Sequence, residues 1–340
     1  MLSTYPMNPE VTVICTCYNH APFIKECLQS VVLQSYNNIQ LIIIDNASTD
    51  DSRRLILQFI DDYPKTIFIR NNQNIGLCKA FNQGLSKATG KYVIDLAADD
   101  IMPLQRIEKQ VRAFELLPKD YAVVFSNTSY IDTSGKLIGY HYALGKDGKA
   151  HGVVPTGHVY KEILRRYFIC TPSIMIRKSV LIKLSGYDES LSYEDFDFFI
   201  RSAHNYKYHY IDEVLMNKRV LEDSMASQFY RIGNDMLKSS WKVCNKAYDL
   251  SRSQEEYDLL AKRIRQFIKK CFVAQDAEQA TEFRKLLNYI EDPGWETELL
   301  VFACRLHLPV NWLYRFYAKW QRNRKLSMMQ QGIPFVQLDS

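Results

Sequence analysis

Two apolar patterns alternate through the first hundred residues. Short runs at Val11-Thr12-Val13-Ile14-Cys15, Leu41-Ile42-Ile43-Ile44, Thr66–Arg70 and Lys91–Leu96 read as strands. The unbroken β-branched run at 41–44 predicts a parallel strand buried on both faces. Between the runs, apolar positions recur at helical spacing. Ile24, Cys27, Leu28, Val31 and Val32 follow Pro22, a residue suited to a helix start. Leu55, Ile56 and Phe59 mark a second helix over Asp50–Ile60, and Gly76–Ala88 a third. A fourth starts at Pro103 and keeps Leu104, Ile107, Val111 and Phe114 on one face. This βαβα alternation predicts an α/β fold with a doubly wound, mostly parallel sheet.

In such a sheet, ligands bind beyond the carboxyl ends of the strands. Polar clusters fall at those ends: Thr16-Cys17-Tyr18-Asn19, Asp45 to Asp50, Asn71 to Asn74, and Ala98-Asp99-Asp100. Topology alone brings them to one edge.

The pattern then loosens. Tyr121–Ser126 and Ser173–Arg177 read as further strands, residues 133–158 as a loop or hairpin over the site, and Glu194–His204 as the start of a helix. From about Ser224 the chain turns helical, with Tyr257, Leu260, Ile264, Phe267 and Cys271 on one face. The predicted organisation is a catalytic domain over 1–225 and a helical region over 226–340.

Charge and cysteines refine this picture. Residues 1–300 carry equal numbers of basic and acidic side chains, so the net charge of +5 lies in the last forty residues. The N-terminus lacks a secretory pattern and no apolar stretch is long enough to span a membrane, which predicts a cytoplasmic protein. The eight cysteines have no pairing pattern, and buried reduced thiols are expected. There is no G-x-G-x-x-G after the first strand and no Walker loop. Any bound phosphates would need a metal for positive charge, helped by Lys79.

Asp99 and Asp100 are hard oxygen donors suited to Mg2+ or Mn2+. Asp45 is either a turn or cap carboxylate or an acceptor for the N3–H of a pyrimidine. Tyr18 is either a core residue or a platform for the base. Glu194 and Asp195 are either helix-capping acids or a catalytic pair, and Asp197 is a weaker candidate for the base.

The stretches VTVICTCYNH, IIIDNASTDDS, NNQNIGLCKAFNQGLSKATGKYVIDLAADD, TPSIMIRKSV and GYDESLSYEDFDFFIR resemble, in order and spacing, successive motifs of the family 2 glycosyltransferases. The resemblance covers roughly residues 10–225 and implies the GT-A nucleotide-diphospho-sugar transferase fold. It implies nucleotide binding by Thr16, Tyr18, Asn19, Asp45, Asn74, Lys79 and Ala98. It further implies Mn2+ or Mg2+ at Asp99, with Asp100 as second choice, Asp195 as catalytic base, and Glu194 against the acceptor or donor sugar. The implied reaction is inverting transfer of a hexosyl or N-acetylhexosaminyl group, most simply from a UDP-sugar. The implied acceptor is a saccharide, lipid-linked in bacterial cell-surface polysaccharide synthesis such as O-antigen or capsule.

Three positions depart from the family pattern. Ala97 stands where the first Asp of D-x-D falls, Asp95 replaces an apolar strand residue, and Leu221 replaces a His. They keep open a non-catalytic protein that binds nucleotide or glycan on the same fold. A sugar nucleotidyltransferase is disfavoured because CTCYNHAPF lacks the glycines its phosphate loop would need. At the far end, Trp312, Leu313, Phe316, Tyr317 and Trp320 recur at helical spacing among Arg315, Lys319, Arg322, Arg324 and Lys325. This segment reads as a packed terminal helix or as an interfacial helix for anionic lipid on the inner face of the plasma membrane.

Overall fold

A computed structural model describes residues 8–221, 229–306 and 311. The chain forms two compact units. One holds the described residues up to Gly157 with Ile169–Glu189 and Tyr206–Arg219. The other holds His158–Phe168, Ser190–Asn205 and the described residues from Val220 onward.

The first unit is built on the alternation read from the sequence. Its elements are β1 (Val11–Cys17), α1 (Ile24–Val32), β2 (Ile39–Asp45), α2 (Ser52–Asp62), β3 (Ile67–Arg70), α3 (Leu77–Leu85), β4 (Tyr92–Ala97) and α4 (Arg106–Leu116). It continues with β5 (Tyr121–Ile131), β6 (Leu137–Tyr140), β7 (Met175–Arg177), α6 (Lys178–Lys183) and β8 (Lys207–Arg219). The sheet order is β3-β2-β1-β4-β7-β5-β6, and β8 pairs with β5. β1 to β4 are mutually parallel, while β7 runs antiparallel to both its neighbours.

Both faces of the sheet are covered, as the apolar runs require. Val13, Cys15, Ile43, Ile94 and Leu96 pack with Ile24, Cys27 and Leu28 of α1, Ile56 of α2, and Ile107 and Val111 of α4. α3 covers the opposite face through Gly84, where a Cβ would stand 2.6 Å from the Ile14 side chain. Only glycine allows that helix to lie so close.

Several later elements differ from the sequence reading. The strand from Tyr121 runs on to Ile131 because β6, within the predicted loop, pairs with its far end. The strand read at Ser173 is a 3-10 turn over Thr171–Ser173 followed by the three residues of β7. β8, thirteen residues long, has no counterpart in the sequence reading.

The second unit contains α5 (Tyr160–Arg165), α7 (Asp195–Ala203), α8 (Met236–Leu250), α9 (Gln254–Ala274), α10 (Ala277–Asn288) and α11 (Gly294–Arg305). α9 starts in a capping box between Ser253 and Glu256 and ends at Gln275 in the left-handed conformation. Leu260, Ile264, Phe267 and Cys271 of its predicted apolar face are buried. All eight cysteines are buried and lie outside any disulfide.

Candidate active site

Register fixes the edge on which the polar loops emerge. Cys17 lies opposite Asp45, Asp45 opposite Arg70, and Thr16 opposite Ala97. The loops after β1, β2, β3 and β4 therefore leave the sheet side by side.

Asn19 joins the first two loops. Its backbone is left-handed (φ 59°), a conformation Asn tolerates better than most residues. Its Oδ1 accepts from the Thr49 N–H at 2.8 Å and the Thr49 hydroxyl at 3.2 Å. Its own N–H donates to Ser48 Oγ at 3.1 Å. The next N–H groups along the chain, those of His20 and Ala21, donate to Ser52 Oγ and Asp50 Oδ2. Asn19 thus shapes the edge, while Tyr18 beside it is 42% exposed and presents its ring to solvent.

Asp45 is fully buried. Oδ1 accepts from the Ser48 N–H at 3.0 Å and Oδ2 pairs with Arg53 Nε at 2.7 Å. A carboxylate has about four acceptor sites, so these two partners leave capacity for a third. Asp50 receives the N–H groups of Ala21 and of Ser52, the first residue of α2. The loop after β3 is tied back by amides. Asn46 Nδ2 donates to Asn74 Oδ1 at 3.0 Å, and Asn71 Nδ2 to Asn46 Oδ1 at 3.0 Å. Lys79 is exposed on the first turn of α3. The Thr16 hydroxyl is buried without a partner among the described residues.

The acidic loop after β4 separates its two carboxylates. Ala98 is buried, Asp99 partly buried, and Asp100 only 2% exposed. Asp100 Oδ1 accepts from the Arg219 N–H at 2.9 Å. Burial, then the charge of Asp99, pushes Asp100 up to about 7, against the pull of Lys218, the Arg219 N–H and Arg106. The Arg219 guanidinium reaches the carbonyls of Asp99 at 3.0 Å and Asp132 at 2.9 Å, and Glu26 at 2.7 Å. It lies 4.6 Å from the Phe23 ring centroid. Sequence reasoning missed Arg219, whose position follows from β8. Asp95 is partly buried on β4; burial pushes it up to about 7, against the opposing pull of Tyr187.

Among the described residues, no group of three or more His, Cys, Asp or Glu side chains is placed to hold a metal. The donor set is therefore one available carboxylate, Asp99, beside a second that faces inward. That fits a divalent ion whose remaining ligands are substrate phosphates and water, a common arrangement for Mg2+.

In the helical unit, Asp195 is the first residue of α7 and its Oδ1 accepts from the Phe196 N–H. Glu194 is the N-cap residue but makes no side-chain cap bond. Asp195 sits among phenols: after burial, its charge is the next cause that raises Tyr167, and with Tyr167 it raises Tyr193. Tyr193 OH lies 2.6 Å from Ser240 Oγ. Asp197 is different. It is 1% exposed and paired with Arg201 at 2.6 Å and Lys246 at 2.5 Å, so it ties α7 to α8.

The fold and these loops define a GT-A transferase. The family model described as Glycosyl transferase family 2 matches residues 12–184. An uncharacterized glycosyltransferase of Methanocaldococcus jannaschii, MJ1057, is 31% identical over 71% of this chain and 83% of its own length. The chain belongs to family 2 of the glycosyltransferases and is an enzyme of that class. Among solved structures, S. aureus TarS 1–349 in complex with UDP superposes with a TM-score of 0.64 at 15% identity, over 95% of this chain and 92% of that one. The mannosyltransferase PcManGT of Pyrobaculum calidifontis, in complex with GDP-Man and Mn2+, superposes with a TM-score of 0.55 at 17% identity, over 89% and 87%. Both likenesses are of fold.

Proposed function

We propose that the enzyme transfers a hexosyl or N-acetylhexosaminyl group from UDP to a saccharide hydroxyl with inversion. The observation that carries the donor reading is the shared edge of four loops, with the exposed Tyr18 ring, buried Asp45 and the Asp99 carboxylate on it. Tyr18 lies against the base, and the base N3–H is the third partner of Asp45. The TarS complex with UDP supports uridine, whereas the PcManGT complex with GDP-Man keeps guanosine as the competing reading.

Asp195 takes the proton of the acceptor hydroxyl, worth about 10²–10⁴-fold in rate. The acceptor oxygen bonds to the anomeric carbon as its bond to the diphosphate oxygen breaks on the opposite side. One displacement converts an α-linked donor into a β-glycoside without a covalent intermediate. Asp99 would hold Mn2+ or Mg2+, with Asp100 as second choice; when bound, the ion neutralises charge on the departing diphosphate. Glu194 is the candidate contact to a sugar.

The wider reading is extension of a lipid-linked bacterial polysaccharide by an enzyme peripheral to an anionic membrane. No helix among the described residues is long and apolar enough to cross a membrane. The aromatic and basic segment from Trp312 to Lys325 lies outside the described residues. Just before it, Trp295, Leu299, Phe302 and Leu306 stand exposed along one stripe that runs the length of α11. Contiguous apolar exposure of this kind supports an interaction surface.

The test is a thermal-shift screen of UDP-, dTDP- and GDP-sugars with Mn2+, since a ligand of the folded state raises apparent stability. Stabilisation by UDP-sugars and not GDP-sugars is expected. Transfer or donor hydrolysis by the purified protein is then expected with the stabilising donor.

A further inference from the structure

The available carboxylate of the edge, Asp99, sits in an irregular loop, so something other than a helix or strand ladder must hold it. The last residues of β8 do. Ile101 and Asn217 exchange both backbone bonds at 3.0 Å, and the Asn217 amide oxygen accepts from Ser129 Oγ of β5 at 2.7 Å. Asn217 is thereby tied to the sheet, and the far side of the loop to Asn217. The Arg219 N–H turns Asp100 inward. None of these bonds reaches Asp99. A bond that does comes from a side chain: Arg219 Nε donates to the Asp99 carbonyl at 3.0 Å.

Arg219 is buried, and its terminal nitrogens are committed elsewhere. One donates to the carbonyls of Asp132 at 2.9 Å and Thr133 at 3.2 Å, in the turn between β5 and β6. That turn is closed on itself, since Asp132 Oδ1 accepts the N–H groups of Ser134 at 2.9 Å and Lys136 at 3.0 Å. The other pairs with Glu26 of α1 at 2.7 Å, and the guanidinium lies 4.6 Å from the Phe23 ring centroid. One planar fork therefore ties the Asp99 main chain to a self-closed turn and to a helix. The Glu26 side chain is largely exposed, so that ion pair alone is weak. A lysine cannot copy the arrangement, because its donors radiate from a single point.

We infer that Arg219 is a positioning residue for the transfer reaction: by holding the Asp99 main chain it sets the direction of the Asp99 carboxylate toward the metal. The inference rests on the reading of Asp99 as the metal ligand. Where one protein carboxylate meets the ion, no second protein ligand corrects a rotated one, so the outer contact governs metal affinity. Loss of such an outer contact typically costs about 10–100-fold in metal affinity. An arginine that merely supports the fold would affect nucleotide binding alike with and without metal.

The experiment is calorimetry of UDP on the full chain, in EDTA and across a Mn2+ series, for wild type, Arg219→Lys, Arg219→Gln and Glu26→Gln. The readout is the Mn2+ concentration that gives half of the gain in UDP affinity. It should rise about tenfold or more in both Arg219 variants, while UDP affinity in EDTA stays at the wild-type level. Glu26→Gln should leave it unchanged, because its pair is exposed. The EDTA titration counts only folded protein, so unfolding of Arg219→Gln is not mistaken for a lost metal response, and Arg219→Lys then decides. An unchanged half-point in either folded Arg219 variant overturns the inference. So does an equal loss of UDP affinity in EDTA and in Mn2+, or a matching rise in Glu26→Gln. A wild type that gains nothing from Mn2+ is a separate failure, that of Asp99 as metal ligand, and takes the inference with it.

Discussion

The main-chain N–H of Arg219 holds Asp100 Oδ1 at 2.9 Å, while the Arg219 side chain holds the carbonyl of Asp99 at 3.0 Å. The end of β8 thereby fixes which carboxylate of the pair turns inward. Asp99→Ala should therefore weaken UDP binding in Mn2+ and abolish the effect of EDTA. Asp100→Asn should act mainly on stability. Calorimetry with UDP, with and without EDTA, checks this. Identical wild-type affinities under both conditions would mean that the enzyme works without metal.

Asp45→Ala should cost about 1–3 kcal/mol of UDP binding, the range for a lost bond to a charged group. Because Asp45 also holds Arg53, the companion variant Arg53→Ala separates base recognition from loop support. A larger loss for Asp45→Ala than for Arg53→Ala is expected. Wild type that binds GDP and UDP equally well would refute the uridine reading.

Asp195→Asn should abolish transfer and leave UDP affinity nearly intact, since the proposed base acts on the acceptor. Rates of more than about a tenth of normal would place the base elsewhere, given the usual size of the effect.

Asp95 gives a pH signature. Its folded value of about 7 lies above the ordinary value of 3.8, so between those pH values the folded state binds more protons than the unfolded state. Its contribution to stability must therefore fall as pH rises from about 4 to about 7, and stay low above that. Asp95→Asn should flatten this part of the profile and raise the melting temperature at pH 8 relative to wild type. Parallel wild-type and variant melting profiles between pH 4 and 8 would show that Asp95 titrates normally.

The full chain should sediment with phosphatidylglycerol vesicles at low salt and be released at high salt. Five excess charges at up to about 1 kcal/mol each near an anionic surface give reversible attachment, screened within a Debye length. Truncation at Pro309 should abolish sedimentation. Equal sedimentation of both proteins would move the contact to the exposed stripe of α11.

The sheet and its polar edge were legible because β1, β2 and β4 are buried along most of their length, and such runs have few alternatives to a parallel core. Once those strands are parallel, register alone places Tyr18, Asp45 and Asp99 on one edge. β8 was not legible. Its sequence, KYHYIDEVLMNKR, mixes charged and aromatic residues, its ladder with β5 is irregular, and most of its positions are only partly buried. Arg219 was missed with it. Nor could spacing show that Asp197 is held in a two-cation ion pair, since its partner Lys246 comes from a helix forty-nine residues away.

The Asn19 clamp has a consequence for altering specificity. Cross-bonds from Asn19, His20 and Ala21 make the turns after β1 and β2 one mechanical piece, so the exposed ring of Tyr18 and the carboxylate of Asp45 share a rigid mount. Exchanging either turn alone for that of a relative with another nucleotide preference would orphan its partners in the turn left behind. The unit of exchange, in the laboratory or in evolution, is the pair of turns transplanted together.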